Sequence, residues 1–253
     1  MIFLILAAVS GVILIVAPVA VARMLKARWK MPDKMFFRAG LFLLVIEIFH
    51  MAVVGNGTSA FPQFFAMPTA VQALILGLLA GLFYELGRYV AMDRFFRNVR
   101  DRKEAIYFGL GFSGLETIMF GILLFIGTFA IYTLANTSDL AASFSTASPK
   151  DLEQLKAFQE QALQLVNGNP LLALAPVLER LSLGLIDIAM TLVMILCFQR
   201  GDTKYAWAAV AFRVLFVSSL YIVSNYNTAA GELVFAAFAA ISFYIIQGTR
   251  KSA

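Results

Sequence analysis

Of 253 residues, 61% are hydrophobic and 14% are charged, whereas a soluble globular domain is about 25% charged. That balance excludes a water-soluble enzyme or binding module and leaves a polytopic membrane protein. The formal net charge of +5 would suggest nucleic acid in a soluble chain, but the basic residues gather mainly in two short segments. They read as topology signals, with no nucleic acid expected.

Seven mostly apolar stretches run near 2–22, 36–54, 69–92, 105–134, 171–198, 205–223 and 231–247. Lengths of about 17 to 30 residues suit helices crossing ~30 Å of hydrocarbon, with tilt for the longest. Strands would leave backbone groups unpaired in lipid, so the expected fold is all-α, a helix bundle forming one transmembrane domain over 1–253. The first stretch is not expected to be a cleavable signal. Nothing basic precedes it, and Arg23, Lys26, Arg28, Lys30, Lys34 and Arg38 follow it. That cluster and the one after the third stretch, Arg94, Arg97, Arg100, Arg102 and Lys103, mark cytoplasmic loops. The alternate loops, 55–68, 136–170 and 224–230, hold only Lys150 and Lys156. An odd number of spans then puts the N-terminus outside and the C-terminus, with Arg250 and Lys251, inside.

Between the fourth and fifth spans, Ser148 and Pro149 resemble a helix start, and Gly168 with Pro170 supplies a stop. Leu152, Leu155, Phe158, Ala162 and Leu165 recur at helical spacing, so 149–167 is expected to be an external amphipathic helix, packed on the bundle or the interface. Asn56-Gly-Thr and Asn136-Thr-Ser fit the glycosylation pattern, a match that also arises by chance. Cys197, the only cysteine, forms no internal disulfide and no cysteine metal site, and reads as a small buried apolar side chain.

Charges inside the apolar stretches carry the functional signal. Glu85, Arg88, Glu116, Glu179, Arg180, Asp187 and Arg213 lie within them. Ionisable groups at membrane depth face a protein interior, pair with one another and mark a site. With a rise of ~1.5 Å per residue, Glu85, Glu116 and Arg213 fall near mid-membrane, and Arg180 and Asp187 share a helix face about 10 Å apart. Glu85 and Arg88, three apart, also share a face. An ion-pair network that only fixes helix packing accounts for such a set, but polar contacts between membrane helices average under ~1 kcal/mol, so a working or vestigial site explains its size better. Gly77, Gly81 and Gly87, then Gly109, Gly111 and Gly114, would let backbones approach around Glu85 and Glu116. The last three form Gly-x-Gly-x-x-Gly, yet no strand precedes them and a dinucleotide site is not expected.

Three blocks carry a resemblance: Gly81-Leu-Phe-Tyr-Glu-Leu-Gly-Arg-Tyr89, Gly109-Leu-Gly-Phe-Ser-Gly-Leu-Glu116, and Leu178-Glu-Arg-Leu181 with Asp187-Ile188. Together they resemble the YhfC family of intramembrane metalloproteases, itself distantly similar to the CAAX prenyl endopeptidases. The resemblance covers roughly 76–120 and 171–216 and implies a membrane bundle with a histidine-containing catalytic centre. It also implies that this centre is altered here. Where the family pattern has a Glu pair, the first position is Tyr84, with Glu85 and Arg88 kept. The histidine of the glycine stretch is Phe112, with Glu116 kept; the one after Glu179 and Arg180 is Asp187; the last aligns with Arg213.

A zinc-type centre needs about three protein ligands around an open position. His50, the only histidine, lies near the outer end of the second span, one turn from Glu47 and outside the matching blocks, and reads as a polar residue at the interface. Carboxylates could hold magnesium or calcium, but the arginines oppose a cation, so no metal and no cofactor are expected. The resulting expectation is a catalytically inactive, protease-like scaffold in a prokaryotic cytoplasmic membrane. It would bind lipid and another integral membrane protein or membrane-embedded segment as an accessory subunit, with Arg180 pairing Asp187 or Glu179, Arg88 pairing Glu85, and Arg213 answering Glu116. The alternatives are an active peptidase using Glu85 or Glu116 as general base, and a transporter or proton pathway, for which paired broken-helix repeats are lacking. No lysine in the last span could hold retinal, and a single histidine makes haem unsuitable.

Overall fold

The computed structural model describes residues 1–137 and 149–249, and these form helices without a strand. In chain order they are α1 (Ile2–Trp29), α2 (Asp33–Ala60), α3 (Thr69–Phe95), α4 (Arg102–Asn136), α5 (Pro149–Asn167), α6 (Ala175–Arg200), α7 (Lys204–Tyr226) and α8 (Thr228–Gly248). All but α5 are long and apolar enough to cross a membrane, giving seven candidate spans. A helix satisfies its own backbone in lipid, so uninterrupted apolar sequence at this length has little other choice. Ser148, Ser138 of the second glycosylation pattern, and Arg250 and Lys251 lie outside the described residues.

Two of the spanning helices depart from the sequence reading. The second helix does not stop at residue 54 but continues to Ala60. Gly55, Asn56 and Gly57 look like a loop, yet Thr58 Oγ1 donates to the Val54 carbonyl at 2.9 Å and Ser59 Oγ to Gly55 at 2.8 Å, bonds back along the helix that let small polar residues remain within it. Asn56 is therefore helical, and the loop that follows is mostly a 3-10 turn, Pro62–Ala66. In α3, two π turns, Leu82–Leu86 and Ala91–Phe95, flank a short α segment, Gly87–Val90. Each π turn widens the helix and changes which residues share a face, a distortion concentrated at functional sites.

Two compact units are present. The first holds Met1–Ala17 and Thr117–Leu178. Its core joins Phe3, Leu4, Ala7 and Ala173, with Leu6, Ile131 and Val166 against them. Ser10 Oγ donates to the Ala173 carbonyl at 2.7 Å, and Gln159 Nε2 donates to the carbonyls of Leu134 and Thr137 at 2.9 and 2.7 Å, satisfying the end of α4. The buried face of α5 thus differs from the predicted one: Ala162 is buried, while Phe158 and Leu165 are exposed. Gln159 turns inward because the orphan carbonyls of α4 are there to be bonded.

The second unit holds Pro18–Glu116 and Glu179–Ala253. There α3 runs along α7 at close range, because a Cβ at Gly81 would lie 2.7 Å from Val214 Cγ2 and 2.9 Å from the Val210 carbonyl oxygen. Ser218 Oγ donates across the pair to the Ala73 carbonyl at 2.9 Å. Helix α8 covers another side of α7 through Phe212, Phe216, Phe235 and Phe238. Gln72 ties down the turn before α3: its amide donates to the Met67 carbonyl at 2.8 Å, and Tyr221 Oη donates to its carbonyl oxygen at 2.5 Å. Tyr221→Phe should cost about 1 kcal/mol, the worth of one such bond, seen as a small fall in unfolding temperature in detergent.

Candidate functional site

The second unit brings four buried charges together. Glu85 and Arg88 from α3, Asp187 from α6 and Arg213 from α7 are 0%, 0%, 4% and 4% exposed. They alternate in sign around a closed circuit. Arg88 Nε donates to Glu85 Oε2 at 3.0 Å and its Nη2 to Asp187 Oδ1 at 2.6 Å. Arg213 Nε donates to Glu85 Oε1 at 3.1 Å, and its Nη2 completes the circuit at Asp187 Oδ1. Arg88 Nη1 also donates to the Asp187 carbonyl at 2.8 Å and to Thr191 Oγ1 at 2.6 Å, while the Thr191 hydroxyl donates back to Asp187 at 2.7 Å. Two positive and two negative charges, each bonded to neighbours of opposite sign, make burial tolerable.

Aromatic rings close the circuit from its sides. The guanidinium carbon of Arg88 lies 4.1 Å from the Phe112 ring centroid, and that of Arg213 lies 5.2 Å from Tyr84. Both distances suit cation–π attraction. Helix α4 can bring Phe112 this close because Gly109 has no side chain: a Cβ there would sit 2.8 Å from Ile188 Cα. The first π turn of α3 includes both Tyr84 and Glu85, and so sets their directions.

Other predicted residues stand apart from the circuit. Glu116 pairs with Arg180, the two side chains being 29% and 16% exposed. Glu179 lies beside Glu232, from the start of α8. Of the expected pairings, Arg88 with Glu85 is present. Arg180 bonds Glu116, and Arg213 bonds Glu85 and Asp187. The separation along α6 explains this. Arg180 lies two turns from Asp187, whereas Arg213 reaches Asp187 and Glu85 directly.

Sequence reasoning left Glu47 and His50 outside the charged set and did not single out Glu232. Because α2 runs on to Ala60, Glu47 and His50 sit in its middle and not at its outer end. The His50 ring packs 5.3 Å from Tyr84 and 5.7 Å from Phe83. Glu47 lies within electrostatic range of Glu116, Arg180, Arg213 and Asp187. Its Oε2 and both ring nitrogens of His50 are buried without a hydrogen-bond partner among the described residues. The signal was available: Glu47 is as deep in an apolar span as Glu85, and the same depth rule applies to both.

A metal does not fit this donor set. Among the described residues no three or more of His, Cys, Asp and Glu are grouped to hold an ion. Glu85 and Asp187 already accept from two guanidiniums whose charge opposes a cation.

Compared with protein families, the chain matches the model described as YhfC intramembrane metalloprotease over residues 12–241. Curated proteins and solved structures gave no match.

Proposed function

Because the chain belongs to the YhfC intramembrane metalloprotease family, we propose that its charged centre is a catalytic site converted into a structural lock. On this reading the protein cleaves nothing. It serves as an accessory subunit that binds another integral membrane protein or a membrane-embedded segment, in a prokaryotic cytoplasmic membrane with its basic loops inside. One observation carries the reading. Tyr84, Phe112, Asp187 and Arg213, the positions at which the sequence departs from the family pattern it resembles, all touch the same buried circuit. Asp187 and Arg213 supply one charge of each sign and bond each other; Phe112 and Tyr84 supply the flanking rings. Substitutions that merely decayed would not be expected to balance charge and fill space together.

A second reading draws on Glu47 and His50, whose free polar atoms resemble groups awaiting a substrate or water. With Glu116 as general base it would be a metal-independent peptidase. Incubating the purified protein with membrane-embedded peptides separates the two. The lock predicts a stable complex and no cleavage; cleavage that resists chelators and is lost in Glu116→Gln would establish the peptidase.

A further inference from the structure

We propose that the seam between α2 and α3 binds an anionic phospholipid, its phosphate held by Lys34 and Arg38 and an acyl chain lying in the apolar groove above them. Lys34 and Arg38 are four residues apart near the start of α2 and therefore share a face. Both are exposed, and neither makes an ion pair among the described residues. They line a cavity of about 400 Å³ whose other walls are Met35, Phe95, Phe96 and Asn98. This is a basic, partly polar compartment with an amide donor, placed where a transmembrane helix begins. Basic pockets between membrane helices at that level take lipid headgroups.

One turn further along the same two helices the chemistry changes. A groove of about 460 Å³ is lined by apolar side chains, among them Phe42, Val45, Ile46, Phe49, Leu86 and Val90. Phe42 and Phe95, with ring centroids 5.4 Å apart, stand where cavity and groove meet. Gly87 helps to hollow the groove, since a Cβ there would run into Ile46 Cδ1 at 2.5 Å. From Arg38 to Phe49 the helix rises ~16 Å, comparable to much of an acyl chain. Among the described residues, no acidic side chain lines either compartment. Charge and continuity together select the occupant. A free phosphate would use only the basic end, and a partner helix would have no need of a phosphate-sized basic cavity at the foot of its groove.

The test is native mass spectrometry of the full chain, delipidated in mild detergent and titrated with phosphatidylglycerol, phosphatidylcholine, deacylated glycerophosphoglycerol and inorganic phosphate. Phosphatidylglycerol should bind about thirtyfold more tightly than phosphatidylcholine, on the scale of two basic residues at a membrane surface. Lys34→Gln with Arg38→Gln should abolish that preference. Val45→Trp, which narrows the groove, should weaken the diacyl lipid and leave the weak binding of glycerophosphoglycerol unchanged. Equal binding of both lipids, an unaltered preference in the double variant, or inorganic phosphate matching the whole lipid would each overturn the proposal. So would a transmembrane peptide that occupies the seam regardless of Lys34 and Arg38. All three substituted side chains are exposed, and should Val45→Trp fail to fold, the double variant decides alone.

Discussion

Replacing Asp187 with alanine should destabilise the protein by ~3–5 kcal/mol, the cost of breaking a buried ion pair from one side. Asp187 Oδ1 accepts from both Arg88 and Arg213, so its loss leaves two guanidiniums facing the single carboxylate of Glu85 in a dry site. Thermal unfolding in detergent, followed by circular dichroism, reads the effect. Thr191→Val offers a scale for comparison. It removes one hydroxyl that accepts from Arg88 and donates to the Asp187 carbonyl, and should cost about 1–3 kcal/mol, the range for a lost bond that leaves a buried group unsatisfied. If Asp187→Ala unfolds no earlier than Thr191→Val, charge neutralisation is not what holds the centre together.

The second large effect is expected at Gly111. A Cβ there would lie 2.5 Å from the Phe36 carbonyl oxygen and 2.8 Å from its Cα, both backbone atoms that cannot rotate aside. Leucine at 111 would force α2 and α4 apart, and with them Gly40, whose own Cβ would meet the Gly111 carbonyl at 2.8 Å. Overpacking in a close-packed core costs ~1–3 kcal/mol and sometimes more, so Gly111→Leu should lower the unfolding temperature sharply or prevent purification of a monodisperse protein. Gly127→Leu is the control: nothing lies within 4 Å of a Cβ there, and its unfolding should match the wild type.

How much of this was legible follows from what each feature depends on. The seven spans were readable because span length and hydrophobicity are set by bilayer thickness alone. The glycines of α4 were readable too, since small residues at membrane depth mean close backbones. Pairing was not. Which guanidinium meets which carboxylate depends on helix rotation, and in α3 that rotation is reset by π turns at Leu82–Leu86 and Ala91–Phe95 that leave no periodic trace in the sequence. His50 was misplaced for a related reason. Gly55-Asn-Gly57 reads as a loop, and moving the end of α2 back to residue 54 turns a mid-helix histidine into a peripheral one. On the proposed reading, Tyr84, Phe112, Asp187 and Arg213 could be picked out singly through the resemblance, but only their shared contact around Arg88 and Arg213 makes them a set.

The account rests on Glu85, Arg88, Asp187 and Arg213 neutralising one another where relatives of this chain would carry out chemistry. A double-mutant cycle on Glu85→Gln and Arg213→Gln tests that most directly, because residues in one buried network are expected to couple. Each single variant strands a charge, whereas the pair restores neutrality, so the double variant should unfold at a higher temperature than either single one. Losses that simply add, with the double variant the least stable of the three, would contradict the account.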